Sequence, residues 1–425
     1  MKRRDPSRDI ALAALGETWS PAAIEGALAD LFASEQRWMR AMARRMTRRF
    51  GEAPPLDVLE AFVRADRDLR QARRLLVRHP SLAMPPMPPS RFGAPPIASM
   101  GDLAALLEVP VEDLDWLADR RGTTRDAEAP VRHYRARWIP KRSVGWRLVE
   151  APKARLRRAQ RCLLDRVLAS VPPHEAAHGF VPGRSVLDHA RAHVRQAVVV
   201  RLDLEDFFAS VPAAQVRAVF RTAGYGEDVA VALTALSTTR TPPALLRSPW
   251  VSRFETRQRL AHRHLPQGAP TSPWIANLAA YRLDLRVSAL ARSLGATYTR
   301  YADDLVLSGD EGFARGVERL LPRLGAIAIE EGFALQHRKT RVTRAGASQR
   351  VCGLVVNEGA RVSRRERERL EAILFNCVKH GPASQNRGDH PRFRDHLLGR
   401  IAWVEQAHEP HAARLHALFA RIEWP

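Results

Sequence analysis

Two short apolar runs that carry acidic residues constrain this chain more than any other feature of its sequence. The first run, at 197–208, reads AVVVRLDLEDFF and is rich in β-branched residues, which favour a strand. Side chains in a strand alternate between its two faces, so Asp203 is expected on the face opposite Leu202 and Leu204. The sequence therefore predicts a carboxylate fixed at the end of an apolar strand.

The second run, at 297–309, reads TYTRYADDLVLSG and predicts a hairpin with Ala302, Asp303 and Asp304 at or beside its turn. Both acids can then face one groove. Hard cations prefer carboxylate oxygens, and phosphoryl transfer from a nucleoside triphosphate uses two Mg²⁺ ions roughly 3.5–4 Å apart. Taken alone, an acid in a strand is more often a surface residue or a cap, and an isolated Asp-Asp pair more often marks a turn.

The charge balance points to a polyanionic partner. Lys and Arg together number 68 against 46 Asp and Glu, which gives a formal net charge of +22. A solvated basic surface is the alternative, but an excess of this size costs self-repulsion unless a partner neutralises it. Nucleic acid is therefore favoured.

The cysteines and the apolar segments bear on where the protein works. Three cysteines, Cys162, Cys352 and Cys377, are far apart and form neither a C-x-x-C pair nor a disulfide framework. This favours a reducing cytoplasm and disfavours a structural zinc site. The sequence shows no secretory signal and no apolar stretch long enough to span a bilayer, so we expect no membrane partner.

The pattern along the chain predicts four segments. Residues 1–78 form a basic helical region, and 79–97 form a proline-rich linker, because proline cannot continue a helix. Strands and helices then alternate over 98–361, which predicts an α+β domain, and 362–425 is helical again. The Arg-rich helices of the first segment could bind RNA, dock another protein or form a solvated face, with a membrane surface less favoured.

The order of the motifs resembles the reverse transcriptase family over about 98–425. LDLEDFFASV resembles the family's motif A, LPQGAPTSP its motif B, YADD its motif C, EGFALQHRKT its motif D and VCGLVVN its primer grip. The resemblance implies a right-hand polymerase, in which 98–361 form the fingers and a palm with an antiparallel sheet. Residues 362–425 then form a helical thumb, and the basic helical region precedes the hand.

The resemblance also implies the catalytic residues. Asp203, Asp303 and Asp304 would bind two Mg²⁺ ions, and the carbonyl of Leu204 would assist as a metal ligand. Lys339 would act as a general acid toward pyrophosphate, because the pKa of an amine can be tuned whereas that of a guanidinium cannot.

A nucleotide pocket is implied in the same way, with dNTPs as substrates. Its members are Arg147, Lys153, Asp206, Phe208, Gln267 and Gly268. The ring of Phe208 would lie under the sugar and clash with a 2′-OH, which selects deoxynucleotides. A buried core aromatic is the usual alternative for a Phe in such a run.

Among bacterial members, the chain most resembles the retron reverse transcriptases. Their Asn-Ala-x-x-His element is His189-Ala190-Arg191-Ala192-His193 here, and their Val-Thr-Gly element is Val351-Cys352-Gly353. The resemblance implies that a structured noncoding RNA serves as template and primer, and that priming from a 2′-OH gives a branched RNA–DNA product. The residues expected to contact this RNA are Lys141, Arg142, Arg184, His189, His193, Val351, Cys352 and Gly353.

Retron resemblance further implies a role in defence against phage, with an effector protein encoded elsewhere. Two alternatives stay open. A group II intron-type enzyme would carry DNA-binding or HNH-like segments after the thumb, and this sequence ends at Pro425. A non-catalytic RNA-binding scaffold with a polymerase fold is disfavoured by the intact set of acids.

Overall fold

The structure, a computed structural model of the chain, describes residues 6–32, 36–72, 92–120, 122–141, 145–251, 253–407 and 409–424. The chain divides into two units, Met1–Pro85 and Pro86–Pro425. Each unit has its own hydrophobic core. Across the described residues, no helix is both long enough and apolar enough to cross a bilayer.

The first unit is helical. Its helices are α1 (Ser7–Leu15), α2 (Pro21–Phe32), α3 (Arg37–Arg49), α4 (Leu56–Ala65) and α5 (Leu69–Ala72). Helix α3 forms one wall of the core because its apolar residues recur at helical spacing, and it buries Met39, Met42 and Met46. Its opposite face exposes arginines such as Arg44 and Arg48.

The second unit begins with two short helices and a hairpin. The elements before the central sheet are α6 (Met100–Leu106), α7 (Val111–Ala118), β1 (Tyr134–Pro140), β2 (Trp146–Pro152), α8 (Ala154–Arg166) and α9 (Val186–Arg191). Strands β1 and β2 pair antiparallel from Tyr134 opposite Pro152 to Pro140 opposite Trp146.

A four-stranded antiparallel sheet brings the two acidic runs together. Its strands are β3 (Val198–Asp203), β4 (Thr297–Tyr301), β5 (Asp304–Gly309) and β6 (Arg341–Arg344), in the order β4-β5-β3-β6. Alternate residues of β3 enter different cores. Val198, Val200 and Leu202 belong to the larger core, whereas Val199 belongs to a second cluster on the other face of the sheet.

Helices cover both faces. Those that follow β3 in the chain are α10 (Ala213–Thr222), α11 (Glu227–Ser237), α12 (Pro243–Leu246), α13 (Phe254–Ala261), α14 (Ser272–Ala279), α15 (Tyr281–Ser293) and α16 (Glu311–Glu330). Helix α16 continues through Pro322 to Glu330. Buried Leu324 and Ala328 keep its apolar face packed beyond the proline, which offsets the loss of one backbone hydrogen bond.

The chain closes with a small hairpin and three helices. These are β7 (Arg350–Val351), β8 (Leu354–Val355), α17 (Arg364–His380), α18 (Phe393–Ala407) and α19 (Glu409–Ala420). Leu374, Ile401 and Leu415 of the three helices share one hydrophobic cluster with Val199 and Val306 of the sheet. The C-terminal helices therefore pack on the face of the sheet opposite the larger core.

A fully buried ion pair supports the turn between β4 and β5. The side chains of Arg300 and Asp284 are both 0% exposed, and two hydrogen bonds of 2.8 and 2.6 Å join them. The same guanidinium donates to the carbonyl of Ala302 at 2.9 Å and to Asn277 Oδ1 at 3.0 Å. Helices α14 and α15 are thereby tied to the residues just before Asp303.

Removing the carboxylate of this pair should destabilise the protein strongly. We expect Asp284→Ala to cost about 3–5 kcal/mol in the free energy of unfolding, because it leaves a buried guanidinium without its counter-charge. Urea unfolding followed by circular dichroism measures the change. Glu330→Ala removes one of the two acidic partners of the more exposed Arg286 and should have little effect. Equal losses in the two variants would contradict this account.

Candidate active site

The pairing of β3 with β5 places acidic residues side by side. Asp203, the last residue of β3, lies directly opposite Asp304, the first residue of β5. Asp303 lies in the turn between β4 and β5, and its carbonyl accepts a hydrogen bond from the Leu204 amide at 2.8 Å. The turn is closed by Ala302 in the left-handed region, with φ of 57°. Acids from two distant segments of the sequence thus share one edge of the sheet.

The surroundings of these acids make their charged forms costly. Burial raises the pKa of Asp303 above its ordinary value, and the charge of Asp203 raises it further. Burial also raises the pKa of Asp304, although the guanidinium of Arg201 opposes this. A cation bound at this edge would relieve both the desolvation and the mutual repulsion.

Two basic side chains hold the acids in the structure. The ammonium of Lys339 donates to both oxygens of Asp203, at 2.8 and 2.9 Å. Arg201 donates to Oδ2 of Asp304 at 2.9 Å. Sequence reasoning found Lys339 but missed Arg201, although the signal was available. Arg201 precedes Asp203 by two residues in one strand, so both side chains point to the same face.

The Val351-Cys352-Gly353 turn reaches the same edge. Cys352 and Gly353 have positive φ values of 46° and 88°. The predicted RNA contact of Val351 is wrong, because its side chain is 0% exposed and anchors the turn in the second cluster. Cys352 Sγ lies 3.7 Å from Asp304 Oδ2. Burial raises the pKa of this thiol to about 12, so the thiol is neutral and faces the carboxylate as a weak donor. No pattern in the sequence predicts this contact.

Phe208 and Gly268 line one cleft. The cleft has a volume of about 470 Å³, and its other lining residues are Arg157, Arg161, Ala269, Pro270, Ser272 and Pro273. Gly268 has a φ of 128°, and a Cβ there would lie 3.2 Å from the carbonyl oxygen of Glu150. The Gln267 carbonyl accepts from the Glu150 amide at 2.9 Å, so the loop lies tightly against β2.

The other three residues predicted for the nucleotide pocket lie in different settings. Asp206 Oδ2 accepts from the Thr256 hydroxyl at 2.6 Å, so α13 holds this acid. Arg147 is exposed on β2. The ammonium of Lys153 donates to the carbonyls of Ala129 and Pro130, at 2.8 and 2.7 Å. The charge of Lys153 is therefore already engaged by the backbone.

The basic residues predicted to contact RNA also differ in their settings. Lys141 is exposed, and its amide donates to the Gly145 carbonyl at 2.9 Å across the hairpin turn. Arg142 lies outside the described residues. The guanidinium of Arg184 donates to the carbonyl of Ala177 at 2.9 Å and also to that of Glu175.

His189 and His193 require a correction. The sequence suggested that both contact RNA, but both are 0% exposed. They contact the hydroxyls of Thr299 and Ser308 on the sheet, and burial lowers the pKa of both rings to about 3. An imidazole without accessible surface has no contact with an external RNA, so these residues belong to the protein interior.

The donor chemistry at the edge of the sheet fits a divalent cation. Carboxylate oxygens are the ligands that Mg²⁺ prefers. Within the described part of the chain, no three His, Cys, Asp or Glu side chains converge as a ready-made metal cluster. The Lys339 ammonium instead contacts both oxygens of Asp203, which shows that this carboxylate accepts a cation.

Comparison with known proteins identifies the class. Residues 139–369 match the family model described as reverse transcriptase, RNA-dependent DNA polymerase. The chain belongs to the reverse transcriptase family and is an RNA-directed DNA polymerase.

Similar curated relatives show to which group within the family the chain belongs. The chain is 42% identical over 331 residues to the Retron Mx65 reverse transcriptase of Myxococcus xanthus, covering 77% of this chain and 72% of that protein. It is 40% identical over 302 residues to the Retron Mx162 reverse transcriptase of the same organism, covering 67% and 59%. The Retron Ec86 reverse transcriptase of Escherichia coli is 28% identical over 305 residues, covering 70% and 84%. Within its family, the chain is thus a retron-type reverse transcriptase.

A solved foamy viral protease-reverse transcriptase in complex with double-stranded DNA also matches. The TM-score is 0.32 at 14% identity, over 68% of this chain and 43% of that one. At that score the likeness is too distant to define the architecture further.

Proposed function

We propose that this protein copies part of a structured noncoding RNA into DNA, beginning at a 2′-OH of that RNA, so that the product is a branched RNA–DNA hybrid. The observation that carries the proposal is the direct pairing of Asp203 with Asp304 beside Asp303, in a chain of the reverse transcriptase family. Similarity to retron enzymes supports a structured noncoding RNA as the template and a 2′-OH of that RNA as the primer.

In this proposal the second unit is a right hand. The four-stranded sheet with its helices is the palm, the β1–β2 hairpin belongs to the fingers, and α17 to α19 form the thumb. The divisions are those suggested by the sequence, with fingers and palm at 98–361 and thumb at 362–425. The basic helical region 1–78 and the linker 79–97 precede the hand.

Asp203, Asp303 and Asp304 would hold two Mg²⁺ ions, with the Leu204 carbonyl as a further ligand. When bound, Mg²⁺ activates the attacking hydroxyl and neutralises the charge on the departing pyrophosphate. Arg201 orients Asp304 through its hydrogen bond to Oδ2. Lys339 places Nζ beside Asp203, and this group would act as the general acid toward the pyrophosphate as it leaves.

The cleft that contains Phe208 and Gly268 would receive the incoming dNTP, with Gln267 and Asp206 beside it and Arg147 approaching from the hairpin. Lys153 supports this region through its backbone contacts. The RNA would follow basic surface that includes Lys141 and Arg184, in keeping with a net charge of +22.

We extend the proposal to the cellular role. The resemblance to retrons implies defence against phage together with a separately encoded effector protein. Three free cysteines fit a reducing compartment, so we place the enzyme in the cytoplasm.

The double variant Asp303→Asn with Asp304→Asn should abolish DNA synthesis, because amide oxygens do not supply the negative charge that holds Mg²⁺. Extension is measured with purified protein, its RNA, dNTPs and Mg²⁺, and RNA affinity is measured by filter binding. We expect RNA affinity to stay within about threefold, since these acids are not expected to contact the RNA backbone. The matched control, Asp165→Asn with Asp228→Asn, changes two exposed acids of the same unit. Undiminished synthesis by the Asp303→Asn, Asp304→Asn variant would contradict a catalytic role for these two acids.

Phe208→Ala should relax discrimination against ribonucleotides, because the ring that excludes the 2′-OH is removed. The measured quantity is the ratio of kcat/KM for a dNTP to that for the matching ribonucleotide. We expect this ratio to fall at least about tenfold, which is about 1.4 kcal/mol. Phe208→Tyr retains the ring and should retain the ratio. An unchanged ratio in Phe208→Ala would mean that Phe208 is only a packing residue.

A further inference from the structure

We propose that a buried hydrogen-bond chain positions the turn Tyr301–Asp304 and thereby the carboxylates of the candidate site. Its members, in order, are Ser308, His193, Thr299 and His189. The inference rests on the proposed function, because it gives these side chains a task at the same carboxylates. It replaces the RNA contact that the sequence suggested for the two histidines with a role inside the protein.

The hydrogen-bond chain joins the neighbouring strands β4 and β5. Nδ1 of His193 lies 2.7 Å from the hydroxyl of Ser308 on β5, and its Nε2 lies 2.7 Å from the hydroxyl of Thr299 on β4. One imidazole therefore bridges both arms of the hairpin that carries the acids. Nδ1 of His189 lies 2.7 Å from the same Thr299 hydroxyl.

The hydrogen positions along this chain depend on one another. Burial keeps both rings neutral, so each has one N–H donor and one bare nitrogen acceptor. The Thr299 hydroxyl has a single hydrogen and contacts two rings, so it can donate to one ring at most and accepts from at least one. The two rings therefore cannot both present a bare nitrogen to this hydroxyl. Loss of the Thr299 hydroxyl would break two links and leave buried nitrogens unpaired.

The hydrogen-bond chain ends at the ring of His189. Nε2 of His189 is buried and has no hydrogen-bond partner among the described residues. The ring of His189 instead lies 5.8 Å, between centroids, from that of Tyr301. The histidine therefore packs against the first residue of the turn while bonding to the strand that leads into it.

The turn has little freedom to adapt if this support is lost. Ala302 is left-handed, and a Cβ added at Gly179 would lie 2.6 Å from its amide nitrogen. A shift of β4 against β5 would therefore move Asp303 and Asp304 relative to Asp203. A misplacement of about 1 Å at a reacting centre costs up to roughly 100-fold in rate.

Thr299→Val is the decisive variant, because it removes the hydroxyl and keeps a branched side chain of similar shape. We expect kcat to fall about 10- to 100-fold. KM for dNTP and the Kd for RNA should each stay within about threefold, because neither ligand is expected to touch the buried hydrogen-bond chain. Thr299→Ser restores the hydroxyl and should restore kcat to within about threefold of the unchanged enzyme.

The matched control is Thr234→Val. Thr234 is also buried, and among the described residues its hydroxyl bonds only to the Ala230 carbonyl within α11. We expect this variant to keep its kcat even where its melting temperature falls as far as that of Thr299→Val. If Thr299→Val does not fold, Ser308→Ala breaks the other end of the chain and carries the same expectation.

A readout independent of synthesis separates this inference from the proposed function. Without Mg²⁺, backbone amides of 297–309 should exchange hydrogen faster in Thr299→Val than in Thr234→Val. The inference is overturned if exchange there is unchanged, if kcat is unchanged, or if Thr299→Ser fails as badly as Thr299→Val. A fall in RNA affinity with kcat preserved would instead restore the RNA-contact interpretation. If the unchanged enzyme makes no DNA but the exchange difference is found, the proposed function fails while the positioning chain stands.

Discussion

The antiparallel pairing of β3 with β5 is the contact on which the rest of the site depends. It alone brings Asp203 opposite Asp304 across a long separation in sequence. A slip of one residue would turn every side chain of β3 to the other face, so the hydrophobic pattern fixes the register. Val200 and Leu202 enter the larger core, and Val199 enters the second cluster, so a slip of one residue would turn each of them toward the wrong core. The position of the acids is therefore set by packing on both faces of the sheet.

The site concentrates negative charge in a chain with a net charge of +22. Burial and mutual repulsion raise the pKa of Asp303, which is a cost to the folded protein that a bound cation would offset. Lys339 and Arg201 each engage one neighbouring acid and limit that cost. In the proposed mechanism, Lys339 and Arg201 would share these acids with the metal ions. Such local conflict with stability is common where a protein does chemistry.

The sequence predicted the position of a site residue where strand alternation determines it. It did not predict positions that depend on tertiary contacts. Alternation in β3 predicted the face of Asp203, and the hairpin around Asp304 followed from the same rule. His189 and His193 were misassigned because sequence carries no record of burial. Lys153 stays a predicted residue of the nucleotide pocket, but no local pattern predicted that its ammonium donates to the carbonyls of Ala129 and Pro130. Cys352 lies near Asp304 because a separate hairpin packs there, so no local sequence pattern predicted this contact.

The nucleic acid that copurifies with the protein would show directly whether the protein makes a branched RNA–DNA product. The protein would be purified from cells that carry its natural locus, and the bound nucleic acid would be treated separately with ribonuclease, deoxyribonuclease and a 2′-specific debranching enzyme. The account predicts one short DNA of defined sequence, joined to RNA until the debranching enzyme releases it. Heterogeneous RNA with no attached DNA would contradict the account and favour an RNA-binding scaffold.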